Sequence, residues 1–222
     1  MKKIILLVSV LLLLSTFAFA QLSAGFIAGI SGNMFTGSGW DDMKESFEEG
    51  VGADVKESML LGYSVGGFFT QKLTSAFSIQ PEILISKSGG KFTFEISADN
   101  GEGFYEITST VLEITLLGAY SIPLSTGQLN FLAGPELMLI LGESDYAMEY
   151  DGDSGSTSDT GSDEADDTTL YGLALGIDYD YPVGNNFIKL SARYARPFNS
   201  FIDDEDIFAN KFCLSLGYGI NL

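Results

Sequence analysis

FSIQPEILISK, residues 77–87, alternates between two chemistries. Phe77, Ile79, Pro81, Ile83 and Ile85 are apolar, whereas Ser78, Gln80, Glu82 and Ser86 are polar; Leu84 alone breaks the even series. Successive side chains of a strand point to opposite faces, so this is a strand with one greasy and one wet face. A soluble antiparallel sheet alternates too. If every strand does so and the connections alternate in length, a closed barrel in a membrane is the better account.

Seven further stretches repeat the pattern: Leu22–Ile30, Met59–Phe69, Leu112–Tyr120, Leu129–Leu141, Tyr171–Tyr181, Ile188–Tyr194 and Lys211–Leu222. Between them, short links (Gln71–Ser75, Pro123–Gly127, Pro182–Asn186) alternate with long ones (residues 32–57, Ser88–Glu106, Glu143–Asp167 and the loop around Asp203-Asp204-Glu205-Asp206). The expected fold is all-β: an eight-stranded antiparallel up-and-down transmembrane β-barrel with short periplasmic turns and long acidic extracellular loops. A lipocalin-like soluble barrel would turn its apolar side chains inward, but here the inward sets are dominated by Gly, Ser and charges. Ser88–Glu106 contains Gly89-Gly90 and Asp99-Asn100-Gly101 and is expected to extend as a hairpin beyond the barrel. Glu143–Asp167 carries ten acidic residues and no basic one, which predicts a mobile loop. Pro81 and Pro135, in the matching strings QPEILIS and GPELMLI, remove a ladder donor and are expected at outward-facing bulges. Aromatic residues gather near the strand ends: Phe69, Phe77, Tyr120, Phe131, Tyr179 and Tyr218 toward the short turns, Tyr194 and Phe212 toward the loops, as two interfacial belts require.

The start of the chain sets the compartment. Lys2 and Lys3 precede an apolar run, Ile4–Leu14, and Ala18 and Ala20 supply small residues for a signal peptidase. The run is shorter than the ~20 residues that span a bilayer. Residues 1–20 are therefore read as a secretory signal cleaved after Ala20, and residues 21–222 as an outer-membrane barrel, with outer-membrane lipid and, during biogenesis, the barrel-assembly machinery as partners. No Cys follows the cleavage site to carry a lipid. Losing Lys2 and Lys3 leaves nine basic residues against thirty acidic ones. A surface of that charge repels nucleic acid. Cys213 is the lone cysteine, so no intramolecular disulfide forms, and the chain holds no histidine. That removes the commonest general base, the commonest metal ligand and every Ser-His or Cys-His nucleophile.

Strand parity points Glu82, Glu113, Glu136, Asp178, Lys189, Arg193 and Lys211 into the barrel. An eight-stranded barrel is just wide enough to be filled by side chains, so these charges need one another as partners. The expectation is a salt-bridged plug; an acidic constriction gating small cations is the sharper reading, which needs a water path. Cys213 reads as a small inward filler. Asp151-Gly152-Asp153-Ser154-Gly155 starts like a calcium loop, but Ser156 stands where Gly is needed and Ser162 where the bidentate Glu belongs. Diffuse attraction for divalent cations, without a specific metal site or cofactor, is what the charge density alone implies.

The strings FSIQPEILISKSGGK (residues 77–91), LEITLLGAYSIPL (112–124) and FLAGPELMLILG (131–142) resemble the PorT-like family of small outer-membrane β-barrel proteins of Bacteroidetes-type bacteria. The resemblance covers most of residues 22–222 and implies an eight-stranded outer-membrane barrel. Leu222 stands where such barrels commonly end on an aromatic residue. Three functions compete: a monomeric structural or surface-interaction protein acting through acidic extracellular loops, porin-like passage of small solutes or cations, and an outer-membrane enzyme. The absence of histidine argues against the enzyme. The first reading is the expectation.

Overall fold

Alternating β-branched and aromatic residues carry the strands well past the boundaries that hydropathy suggests. The computed structural model describes residues 21–164, 169–201 and 206–222; residues 1–20, expected as a secretory signal, and residues 165–168 and 202–205 lie outside it. In chain order the elements are β1 (Leu22–Thr36), α1 (Ser38–Val51), β2 (Asp54–Ser58), β3 (Leu60–Lys72), β4 (Phe77–Ile96), β5 (Gly101–Leu124), β6 (Gly127–Gly152), β7 (Gly155–Glu164), β8 (Thr169–Val183), β9 (Asn186–Pro197) and β10 (Phe208–Asn221). Eight of the strands close a ring in the order β1–β3–β4–β5–β6–β8–β9–β10 and back to β1, each antiparallel to both neighbours. This is the expected eight-stranded up-and-down barrel, with no open edge around the ring.

The connections segregate as expected. At the turn end, Leu124 pairs Gly127 and Val183 pairs Asn186, so two residues close each hairpin. Gly184 takes a left-handed φ of 64°, a conformation that favours glycine. The loop end is far more structured than its composition suggests. β4 and β5 run on together as a long hairpin closed by a 3₁₀ turn at Ser97–Asp99. The span 32–57, expected as an open connection, instead completes β1, forms α1 and adds β2 to the extension of β4. Its Gly, Asp and Glu content hides the spacing of Trp40, Met43 and Phe47, which lie on one helical stripe and pack into an apolar cluster. The span Glu143–Asp167, expected as mobile, forms regular structure over its described residues, 143–164: β6 continues to Gly152 and β7 folds back on it. Tyr146, Met148 and Tyr150 alternate within the acidic run, and that alternation outweighs its charge.

The outer wall is apolar. Ile83, Ile85, Leu116, Leu173, Leu175, Leu190, Leu214 and Leu216 are exposed on it, while Glu82, Ser86, Thr115, Ala174, Ser191 and Cys213 are buried inside. Phe77, Tyr120 and Phe131 stand side by side on β4, β5 and β6 at the turn end. Tyr194 and Phe212 pair at the loop end with ring centroids 4.7 Å apart. Leu84, the exception in the opening stretch, is half-buried against Ile27, Phe68 and Phe187, so the interior has an apolar patch of its own.

Neither proline sits at a bulge. The β3–β4 pairing skips the residues opposite Pro81 and resumes in the same register, while the β4–β5 ladder runs unbroken through Pro81 to Leu116. Pro135 behaves alike, with a gap toward β5 and an unbroken ladder toward β8 through Leu173. Each proline costs its strand a bond on one side without inserting a residue. The one register shift among these ladders lies at Thr108/Thr110. Two inward glycines permit the tight curvature. A Cβ on Gly66 would lie 2.0 Å from the Ile83 carbonyl oxygen, and one on Gly134 2.0 Å from that of Leu116.

Candidate functional site

The barrel interior is layered, and each layer follows from strand parity. At the turn end it opens as a polar mouth of about 360 Å³, lined by Thr70, Ser78, Gln80, Gln128, Asn130 and Asn186 among others. The walls satisfy one another there. Asn130 accepts from Ser121 Oγ (2.7 Å) and Gln128 Nε2 (2.6 Å) and donates to Asp180 Oδ2 (2.8 Å).

Above the mouth lies the first ionic layer. Arg193 clamps Glu82 with two bonds of 2.6 and 2.9 Å and reaches Asp178 at 3.3 Å. Lys189 Nζ lies 2.8 Å from Asp178 and 3.0 Å from Asp180. Gln80 ties the layer together: it donates to Glu82 (2.7 Å) and Asp178 (3.3 Å) and accepts from Lys189 (3.3 Å) and Thr70 (2.8 Å). Lys189 also stands 5.0 Å from the centre of the Phe68 ring, within reach of a cation–π contact. Asp178 is fully buried and Lys189 is 1% exposed, so these charges have exchanged water for each other.

A second layer sits toward the loop end. Lys211 and Ser86 both donate to the same oxygen of Glu113. Thr115 donates to Glu136 Oε1 at 3.3 Å, and Cys213 Sγ lies 3.2 Å from Ser64 Oγ. The seven charged residues singled out by parity thus divide into two groups: Glu82, Asp178, Lys189 and Arg193 below, Glu113, Glu136 and Lys211 above. Gln80 and Asp180 complete the lower group, and both share the inward parity of their strands. What parity does not give is the cross-strand register that makes them meet.

Over the second layer lies an apolar cap. Phe35, Trp40, Phe92, Phe94, Val111, Met138, Ile140, Leu170, Phe201 and Ile207 are all buried in one cluster, with Met43 and Phe47 of α1 packed on it. Trp40 meets Phe35 edge-on at 5.0 Å. Lys44 anchors α1 to β2 through Glu57 at 3.0 Å. Polar plug and greasy lid thus fill the interior one above the other with buried side chains.

The loop-end tips carry their own polar lock. Asp99, in the 3₁₀ turn, accepts from Tyr150 Oη (2.5 Å), the Ser154 amide (3.0 Å) and the Ser154 hydroxyl. Asn100 donates to Asp153 at 2.8 Å and Ser156 to Asp151 at 2.7 Å. These bonds from Ser154 and Tyr150 hold the Asp99 carboxyl below the usual carboxylate range. The hydrogen bond that Tyr150 donates to Asp99 in turn pushes the phenol up to about 12. The string that begins like a calcium loop is therefore a hairpin tip bonded to the neighbouring turn, and among the described residues no cluster of three or more acidic or sulfur ligands is arranged to hold a metal.

No curated protein matches the chain. Among solved structures it is similar to the attachment invasion locus protein Ail of Yersinia pestis (14% identity, 89% of this chain and 98% of that one, TM-score 0.38). It is also similar to OprG of Pseudomonas aeruginosa (12% identity, 91% and 96%, TM-score 0.43) and to the neisserial surface protein NspA (10% identity, 90% and 97%, TM-score 0.35). The description "Outer membrane protein beta-barrel domain" matches residues 19–203, most of the sequence. With a closed ring of eight strands, an apolar outer wall and a polar interior, the chain belongs to the outer membrane protein beta-barrel domain family.

Proposed function

We propose that this barrel is a non-conducting, non-enzymatic surface protein whose structured acidic loops, on the extracellular side, meet a partner or shape the cell surface. The observation that carries the reading is the doubly closed interior: two layers of buried ion pairs under an apolar cap. A pore would need water where Lys189, Asp178 and Trp40 sit. The exposed surface of the extension supports the other half of the reading. Asp54, Glu95, Glu102 and Asp151 stand directly opposite one another across β2, β4, β5 and β6. Lys56 neutralises one end of that row, 2.7 Å from Glu95 and 3.8 Å from Asp54. Like charges in directly opposed pairs weaken a sheet, so such a row serves stability poorly and a partner well. Porin-like passage is the less favoured reading, because the buried Lys189, Asp178 and Arg193 ion pairs occupy the interior beyond the polar mouth. The narrower PorT-like kinship rests on the strand and turn motifs quoted above.

Single-channel recording of the refolded barrel in planar bilayers tests the reading. Flat traces are expected; steady, reproducible conductance steps would overturn it. Gel mobility with and without boiling checks the barrel independently, since a detergent-stable barrel migrates differently once boiled.

A further inference from the structure

Between the two ionic layers lies a cavity of about 20 Å³, lined by Glu82, Glu113, Glu136, Arg193, Lys211 and Cys213 together with smaller residues. Four buried polar atoms of its lining residues have no hydrogen-bond partner: Glu113 Oε2, Glu136 Oε2, Arg193 Nε and Ser191 Oγ. Glu113 is 1% and Glu136 5% exposed, so bulk solvent does not serve them. Leaving such atoms unpaired is costly, and buried polar groups almost always find protein or ordered water.

The size and the chemistry choose the ligand together. Roughly 10–15 Å³ of this kind of volume is needed for one water, so the cavity admits a single small species and nothing polyatomic of greater bulk. Two of the atoms are carboxylate acceptors, Arg193 Nε is an N–H donor, and the Ser191 hydroxyl turns to either role. A metal ion would satisfy the carboxylates but face the Arg193 N–H, beside the Lys211 ammonium already bound to Glu113. An ammonium ion would meet the same donor with no lone pair to offer. Water has both halves: two hydrogens for the two carboxylates and a lone pair for the guanidinium.

We infer that the cavity is a one-water site, in which a locked water donates to Glu113 and Glu136 and accepts from Arg193. The water joins the upper layer to the lower one, making a single hydrogen-bonded column from Ser86 down to Asp180 and the polar mouth. The inference does not depend on what the loop surface binds.

Two measurements test it. A crystal structure at water-resolving resolution is expected to show one oxygen-sized peak within hydrogen-bonding distance of Glu113 Oε2, Glu136 Oε2 and Arg193 Nε. Absence of that peak, or a peak with metal coordination, overturns the inference. Oxygen-17 relaxation dispersion of the barrel in detergent micelles is expected to include one long-lived water that disappears in Ala195→Val, which adds bulk to the cavity wall. Retention of the full dispersion amplitude in an Ala195→Val barrel that still shows the heat-dependent gel shift would place the long-lived water elsewhere and overturn it. Should Ala195→Val fail to fold, the wild-type density decides alone.

Discussion

Arg193 and Glu82 meet as fork to fork, and the cost of separating them is asymmetric. Removing one member of a buried pair strands the other in a low dielectric, at about 3–5 kcal/mol. Glu82→Ala is expected to lower the unfolding free energy of the barrel, measured by urea titration in micelles, by that amount. Replacing Glu82 and Arg193 together with Leu and Met should cost less than the single change. Another residue-scale expectation concerns Asp99 and Tyr150. Asp99 is depressed in the folded state, so its contribution is present above the unfolded value near 3.8 and is lost as pH falls through the lower folded value. Tyr150 is raised to about 12, so its contribution is present below the unfolded value of 10.0 and is lost as pH rises from 10 toward 12. Protection of the Ser154 amide, the slowing of its exchange relative to that of the free peptide at the same pH, is therefore expected to be greatest between these limits and to fall at both ends. Tyr150→Phe should remove the alkaline limb and keep the acid one.

At the scale of an element, β4 serves two solvents at once. Its lower half contributes Ile83 and Ile85 to the apolar wall and Glu82 to the ion pairs, while its upper half pairs with β2 and contributes Phe92 and Phe94 to the cap. Ile83→Arg faces outward, near the middle of the wall, and is expected to destabilise the barrel by about 2–4 kcal/mol in lipid vesicles. The same parity that makes this prediction was legible in residues 77–87 alone, because a period of two needs no tertiary information. The limits of that legibility are physical. α1 escaped because three apolar residues at helical spacing, Trp40, Met43 and Phe47, are diluted among acids and glycines. β7 escaped because the Ser, Thr and Asp side chains described from Ser156 to Ser162 are exposed and the strand owes its order to pairing with β6. The prolines misled because a missing donor was read as an inserted residue. Which inward charges meet was hidden until the register of β8, β9 and β10 set Asp178 opposite Ser191 and Cys213 opposite Arg193.

For the whole molecule, plug and cap are, on the proposed reading, separate seals. Trp40→Ala with Phe47→Ala should loosen the loop-end extension, with each aromatic truncation costing about 3–5 kcal/mol where the site cannot collapse. The barrel below should stay shut, because the two ionic layers do not rest on α1. Recordings from that double variant are expected to remain flat. Open, steady steps would mean that the cap is the only seal and that the ion pairs move.

The seam between β1 and β10 has a further consequence, in time rather than in space. It joins Ser23 to Asn221 and Thr36 to Phe208, the longest separations along the sequence in the whole ring. Closure therefore cannot precede synthesis of the last strand, and every earlier species exposes two adhesive edges. A peptide spanning residues 208–221 would compete for the β1 edge. Added during refolding, it should slow the appearance of the heat-dependent gel shift in proportion to its concentration, while leaving the finished barrel untouched.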